Sequence, residues 1–249
     1  MTSDEGCLPD AAARLRSDAG RNRARILEVA RETFAQDGLD AALTEIARRA
    51  DVGIATLYRR FPTRDDLVQA VFATKMTAYA DAAESALEVP DPWVGFAGYV
   101  RTVCEMQAGD AGFADVLALT PDGAFAQEQT RAYRAFVRLI RRAQDAGALR
   151  ADFVSQDLVM VLMANAGVLR ATQAAAPDTW KRLVAYLLES FRAPGRGVLP
   201  PAPASADLVR AMQSAAPDRV GPRTRVSAAE PARVPDQGDR ASRAGPGPR

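Results

Sequence analysis

The segment from Leu43 to Phe61 constrains the fold of this chain more than any other feature of the sequence. It reads LTEIARRADVGIATLYRRF, in which two short stretches of helical periodicity flank a break. The apolar positions are Leu43, Ile46, Ala47, Ala50, Leu57 and Phe61. Gly53, in the break, is free to adopt the backbone angles of a sharp turn, and the small side chain of Ala47 lets a second helix cross closely. The layout is typical of a helix-turn-helix, which places its second helix in a DNA groove.

The positions left outside these apolar faces carry cationic and small side chains. Ala55, Thr56, Arg59 and Arg60 project from the second helix with Tyr58 at their edge, and the first helix presents Thr44, Glu45, Arg48 and Arg49. From residue 21 to residue 64 there are nine basic residues and six acidic ones, a net charge of +3. Two interpretations remain open: a solvated arginine-rich face with Tyr58 at a core edge, or a surface for phosphate.

Helices are also predicted on both sides of this segment. Residues 21–37 carry an apolar seam, and Gly38 stands where a left-handed C-cap belongs. The members of that seam are Ile26, Leu27, Ala30 and Phe34. Thr63 and Asp66 have the spacing of a capping box, which predicts a long helix over 63–88. The amino-terminal unit is therefore predicted to be a three-helix module.

This order of elements resembles the tetracycline-repressor (TetR) family of one-component transcriptional regulators, through TEIARRA, the turn, ATLYRRF and the basic Arg64 that opens the next helix. The resemblance implies DNA contacts from Thr44, Arg48, Arg49, Gly53, Ile54, Ala55, Thr56, Tyr58, Arg59, Arg60 and Arg64. Two positions depart from the family pattern. Ala42 replaces a hydroxyl residue and cannot cap the helix, and Asp51 replaces a glycine, although it tolerates left-handed geometry better than most residues.

Composition limits the alternatives. The 249 residues contain no histidine and only two cysteines, Cys7 and Cys104, so histidine-based catalysis, a zinc site and a disulfide framework are excluded. There is no glycine-rich phosphate loop or nucleophile elbow, so we expect neither an enzyme nor a bound cofactor or metal. No apolar run of about 20 residues and no signal peptide is visible, which predicts a soluble, cytoplasmic protein that does not contact a membrane.

The rest of the ordered chain is predicted to be all-helical. Breaks at prolines and glycines separate helices over 63–88, 91–108, 113–119, 124–146, 155–175 and 178–192. The fold class is thus all-α, with a three-helix DNA-binding domain followed by a ligand-binding and dimerisation domain of about six helices. We predict the domains as a flexible basic arm (1–20), a helix-turn-helix domain (21–66), an effector and dimerisation domain (67–192) and a disordered tail rich in proline, alanine and arginine (193–249).

The penultimate helix of the predicted effector domain is too apolar for the outside of a monomer, and the last helix has one broad apolar face. By resemblance the two helices form a four-helix seam in a homodimer, with Leu158, Leu162, Ala164, Gly167, Trp180, Val184, Leu187 and Phe191 at the interface. Packing within one chain remains the alternative, because apolar periodicity does not distinguish a core from an interface.

The central helices carry an aromatic set that by resemblance lines a pocket for a small, largely apolar effector. Its predicted members are Trp93, Phe96, Tyr99, Val103, Cys104, Gln107, Phe113, Leu117, Tyr133, Phe136, Val137, Ile140 and Asn165. The alternative is an ordinary core, and Asn165 could equally bond across a dimer seam. The resulting expectation is a homodimeric repressor of a near-palindromic double-stranded operator. An architectural or adaptor DNA-binding protein that needs no effector is the alternative.

Overall fold

The computed structural model describes residues 9–117, 123–195 and 197–214, and helices dominate these residues. In order they are α1 (Pro9–Asp37), α2 (Leu43–Arg49), α3 (Ile54–Arg60), α4 (Arg64–Leu87), α5 (Pro92–Ala108), α6 (Ala111–Leu117), α7 (Ala126–Asp145), α8 (Ser155–Thr172), α9 (Thr179–Phe191) and α10 (Ser205–Ser214). The all-α prediction is confirmed, and the helix bounds between residues 37 and 191 agree with the predicted ones to within a few residues. No helix in the described ranges is long and apolar enough to span a membrane.

Local chemistry explains where several helices start and stop. Gly38 adopts a positive φ of 77° after α1, as predicted for a C-cap. The Thr63 hydroxyl accepts from the Asp66 amide at 3.1 Å, and the Asp66 carboxylate accepts from the Thr63 amide at 2.9 Å, so the capping box is present. Asp91 caps α5, and Pro92 occupies its first turn. Ala42 makes no side-chain cap for α2.

The buried apolar side chains fall into two clusters. The first surrounds α1 to α3 and the first half of α4, and the second lies among α4, α5, α7, α8 and α9. Tyr79 on α4 and Leu117 on α6 pack against both clusters. Helix α4 therefore connects two separate cores, and its midpoint is where they meet.

Helix α6 and the start of α7 contribute to the amino-terminal cluster. Phe113, Val116 and Phe125 are buried with Phe34 and Phe72, at 0–3% exposure. The core of the amino-terminal module thus extends beyond residue 66, where the sequence-based boundary was drawn. The reason is that a short helix remote in sequence fills space between α1 and α4.

Two predicted flexible segments are partly helical. Helix α1 begins at Pro9, so the prediction of a flexible arm is wrong for residues 9–20, and residues 1–8 lie outside the described part. Alanine and arginine are strong helix formers, and they extend the helix without needing an apolar seam. The predicted disordered tail contains α10 at Ser205–Ser214, with Leu208 only 8% exposed. The tail prediction is wrong for residues 205–214 because Leu208 has a surface to pack against.

Candidate nucleic-acid interface and regulatory core

The turn between α2 and α3 takes its sharp geometry at Asp51. Asp51 has a φ of 51°, whereas Gly53 is extended at a φ of −64°. The expectation that Gly53 supplies the special backbone angles is therefore wrong. Asp51, which stands where the family pattern has glycine, adopts the left-handed geometry as expected. The Val52 amide donates to the Ala47 carbonyl at 3.0 Å, and Arg25 of α1 donates to the Asp51 carbonyl at 3.2 Å. The turn is thus held from both sides.

Helix α3 has one buried and one exposed face, in the predicted arrangement. Leu57 and Phe61 are buried, while Tyr58 is 48% exposed and Ile54 is 37% exposed. The other exposed members of this face are Gly53, Ala55, Arg59 and Arg60, and Thr56 is half-buried. Because small residues open the helix and arginines close it, the face fits into a groove at one end and carries cations at the other.

On α2, Thr44 and Arg48 are exposed as predicted. The Arg48 guanidinium forms two hydrogen bonds with the Glu45 carboxylate, at 2.9 and 2.7 Å, which lowers the pKa of Glu45. An exposed pair of this kind contributes little to stability, so phosphate can compete for Arg48 at low cost.

Arg49 does not lie on the outer face of α2. Its guanidinium donates to the Thr33 hydroxyl at 3.0 Å and to the Gln36 side chain at 3.2 Å, and it pairs with Glu32 at 3.4 Å. The predicted orientation of Arg49 is wrong because α1 crosses beside the last turn of α2 and supplies these acceptors. Arg49 joins two helices and leaves our set of candidate DNA contacts.

Arg64 also makes contacts within the fold. Its Nη1 atom donates to the carbonyl oxygens of Leu39 at 2.7 Å and Ala41 at 2.6 Å. Arg64 therefore ties the start of α4 to the loop before α2, and its contact with phosphate stays a prediction.

Most residues of the predicted effector set are buried together in the second cluster. These are Trp93, Phe96, Tyr99, Val103, Cys104, Phe136 and Ile140, with Gln107 and Asn165 also buried. Two members are placed elsewhere: Phe113 belongs to the amino-terminal cluster, and Tyr133 is 58% exposed. Leu117 packs against both clusters, and Val137 is half-buried. Tyr133 lies at the edge of the α7 face that carries Phe136, and its exposed side chain does not line the cluster.

The polar groups of this core are uncharged. Asn165 is fully buried, and its amide Nδ2 donates to the Gln107 Oε1 atom at 2.9 Å and to the Cys104 carbonyl at 3.2 Å. The Asn165 Oδ1 atom is buried without a hydrogen-bond partner among the described residues. Burial raises the pKa of the Cys104 thiol to about 12 and, with the nearby Tyr79 phenol, that of Tyr99 well above its usual value. A buried acceptor without a donor costs about 1–3 kcal/mol, so the free Asn165 oxygen calls for an explanation.

Five of the predicted dimer-interface residues are packed inside their own chain. They are Leu158, Leu162, Trp180, Val184 and Phe191, all in the second cluster. Their assignment to an interface is wrong, because the buried face of each helix is the face turned toward α5. Ala164 is exposed, and Gly167 and Leu187 are half-buried. These three stay on the accessible side, with Met160 at 40% and Tyr186 at 60% exposure.

One ion pair at the junction of the clusters was not anticipated from the sequence. Lys75 Nζ lies 3.2 Å from the largely buried carboxylate of Asp110 and 5.1 Å from the centroid of the Phe113 ring. Asp110 also accepts from the Gly112 amide at 3.2 Å. The sequence feature that could have indicated this pair is Lys75 itself, one of only two lysines in the chain, four residues before Tyr79 on α4. This pair joins α4 to the start of α6.

Two family models match the chain on either side of this junction. Residues 26–71 match the model described as bacterial regulatory proteins of the tetR family. Residues 91–193 match the model described as the C-terminal domain of SbtR-like transcriptional regulators. The first match ends within α4, and the second covers α5 to α9.

Similar proteins are transcriptional regulators. A TetR transcription regulatory protein from Mycobacterium vanbaalenii is 34% identical, over 72% of this chain and 99% of that protein, with a TM-score of 0.42. The regulator PfmR from Thermus thermophilus is 19% identical, over 70% of this chain and all of that one, with a TM-score of 0.56. An HTH-type transcriptional regulator from Staphylococcus aureus is 39% identical over 54 residues, which is 21% of this chain and 29% of that relative. The chain thus spans less than a third of the curated relatives it matches.

Proposed function

Because this chain belongs to the TetR family of DNA-binding transcriptional regulators, we propose that it is a homodimeric repressor that a small, largely apolar effector releases from its operator. The observation that carries the proposal is that α6 packs in the amino-terminal cluster. A change among α5 to α8 cannot move α6 without disturbing the cluster that holds α1 and α4. Effector binding would then shift the population between two spacings of the recognition helices.

The exposed face of α3 reads the operator in this proposal. Arg59 and Arg60 donate to guanine edges or phosphates, Tyr58 donates to a phosphate, and the small residues Gly53 and Ala55 permit close approach of the backbone. Two copies of α3 related by a twofold axis would contact half-sites about 34–36 Å apart on a near-palindromic site.

The second copy covers the accessible face of α8 and α9. On α8 this face consists of Met160, Met163, Ala164, Gly167 and Ala171, without a charged side chain among them. Leu183, Tyr186 and Leu187 continue it on α9. An uncharged face of small and apolar residues on two adjacent helices suits a four-helix seam.

Gly167 supports this placement of the seam. A Cβ atom built at Gly167 meets nothing within 4 Å, so the protomer itself has no need of glycine there. Glycine within a helix costs about 0.5–1 kcal/mol relative to alanine. Close approach of a partner helix accounts for that cost.

Substitution of Gly167 tests dimerisation and DNA binding together. We expect Gly167→Leu to keep its helical circular dichroism, to sediment as a monomer, and to lose affinity for an operator selected from a random-sequence DNA pool. The matched control is Gly98→Leu on α5, because a Cβ atom at Gly98 also meets nothing within 4 Å. A dimeric Gly167→Leu protein with full operator affinity would contradict the proposed seam, and failure of the wild-type protein to select any DNA sequence would contradict the function.

A further inference from the structure

The amide orientation of Asn165 is determined by its neighbours. Its Nδ2 atom faces two acceptors, Gln107 Oε1 and the Cys104 carbonyl. The reversed amide would place Oδ1 against those two oxygens, so the assignment of nitrogen and oxygen follows from the contacts. Oδ1 consequently points away from α5's acceptors and remains a buried acceptor without a donor in the described part of the chain.

Packing alone does not require an amide at this position. Asn165 is fully buried in a cluster whose other members on α8 are Leu158, Val161 and Leu162. A leucine would fill comparable space without a desolvated carbonyl oxygen. Native proteins rarely leave such an oxygen unpaired. The partner that Asn165 Oδ1 lacks is a hydrogen-bond donor.

The described residues place no unpaired buried cation in this core. The buried residues that carry formal charge are Arg150 and Asp157, and the largely buried carboxylate of Asp110 is paired with Lys75. The Arg192 guanidinium, 4.4 Å from the Trp93 ring centroid, is half exposed and pairs with Glu189. Arg150 pairs with Asp152 at 2.5 Å, and Asp157 accepts from the Val154 amide at 2.8 Å at the start of α8. Asp157 is two helical turns, about 12 Å, before Asn165. Lys75, at the junction, is bound to Asp110.

Aromatic side chains fill another part of the second cluster. The Tyr99 and Phe136 ring centroids are 5.4 Å apart, and Phe136 lies 6.0 Å from Phe96. Tyr99 precedes Gln107 by eight residues on α5, about 12 Å along the helix axis.

We propose that the effector is an uncharged molecule with an aromatic or apolar body and one O–H or N–H group that donates a hydrogen bond to Asn165 Oδ1. This inference rests on the proposed function, because it names the class of ligand that the second cluster accepts. Carboxylates and phosphates are rejected, since they would be desolvated beside an acceptor with no cation to pair with. Neutral ethers bind weakly, because they leave Oδ1 unpaired.

Three probes of matched size distinguish these ligand classes: 4-ethylphenol, 4-ethylanisole and 4-ethylbenzoate, titrated calorimetrically into the full-length protein at neutral pH. We expect the phenol to bind about tenfold or more tightly than the anisole, and the benzoate not to bind at millimolar concentration. Equal affinities for phenol and anisole, tightest binding of the benzoate, or no binding of the phenol would overturn the proposal. All three titrations use the protein without any substitution.

The variant Asn165→Leu assigns the preference to the residue. We expect it to reduce the phenol-to-anisole affinity ratio to about one, whereas Thr172→Val, about two turns farther along α8, keeps the wild-type ratio. An unchanged ratio in Asn165→Leu would contradict the assignment. Operator binding is measured separately, so phenol binding that leaves the operator bound would refute release by effector without refuting the ligand site.

Discussion

The arginines of the amino-terminal module differ in role, because some contact acceptors within the fold and others are exposed to solvent. Arg49 bonds to acceptors on α1, Arg64 bonds to two loop carbonyls, and Arg59 and Arg60 extend from α3 into solvent. Sequence periodicity correctly predicted which apolar positions are buried. It could not separate Arg48 from Arg49, because that depends on how α1 crosses α2, and a crossing angle is not encoded in the period of one helix.

Removal of Arg49 should therefore affect stability and leave DNA electrostatics unchanged. We expect Arg49→Ala to lower the free energy of unfolding by about 1–2 kcal/mol, since it removes the hydrogen bond to Thr33 and the ion pair with Glu32. The slope of log affinity against log salt should stay at the wild-type value. Urea denaturation and salt titrations of operator binding provide the measurements.

The neighbouring substitution Arg48→Ala is the control for Arg49→Ala. Among the described residues, exposed Arg48 pairs with Glu45 one helical turn earlier, so its loss should leave the urea midpoint unchanged. A reduced salt slope in Arg49→Ala with wild-type stability would show that Arg49 binds phosphate after all.

At the scale of elements, the sequence predicted α2 to α9 because their caps and apolar periods are local signals. It did not predict that α6 joins the amino-terminal core, since Phe113 and Val116 look like any short apolar stretch. A built Cβ atom at Gly112 would lie 3.1 Å from the Phe72 ring, so the close contact of α6 with α4 requires a small residue there. Such long-range contacts are visible only in three dimensions.

The segment after α9 is held by a second long-range contact that the proline-rich composition concealed. Arg150 is buried and donates to the carbonyl of Gly197 at 2.9 Å and of Ser190 at 3.3 Å, while it pairs with Asp152. The Leu199 amide also donates to the Asp152 carboxylate at 3.4 Å. This arrangement connects residues 197–199 to the loop between α7 and α8.

Substitution of Arg150 should release this segment. We expect Arg150→Ala to accelerate proteolysis and hydrogen exchange at residues 197–208, whereas the exposed Arg170→Ala on α8 changes neither. Arg150 lowers the pKa of Asp152 from 3.8 to about 2, so the contribution of the carboxylate to stability is complete above about pH 4 and is lost as the pH falls through about 2. Wild-type exchange rates in Arg150→Ala would contradict this account of the contact.

At the scale of the whole molecule, net charge gives little indication of DNA binding. The chain carries only +1, because 31 acidic residues offset 32 basic ones. The module that holds α3 has a local excess of +3 between residues 21 and 64, and α7 presents further exposed arginines. A DNA-recognition surface therefore has to be distinguished from an ordinary charged surface by its local geometry.

The most direct test compares two double substitutions that remove equal charge. Arg59→Ala with Arg60→Ala removes two cations from α3, and Arg134→Ala with Arg138→Ala removes two cations from α7. Fluorescence anisotropy with the selected operator duplex measures the affinity of each dimer at several salt concentrations. If α3 reads the operator, the α3 pair should lose about 2–6 kcal/mol of binding and discriminate poorly between operator and random DNA, while the α7 pair binds like wild type. Equal losses in both pairs, or none in the α3 pair, would contradict the account.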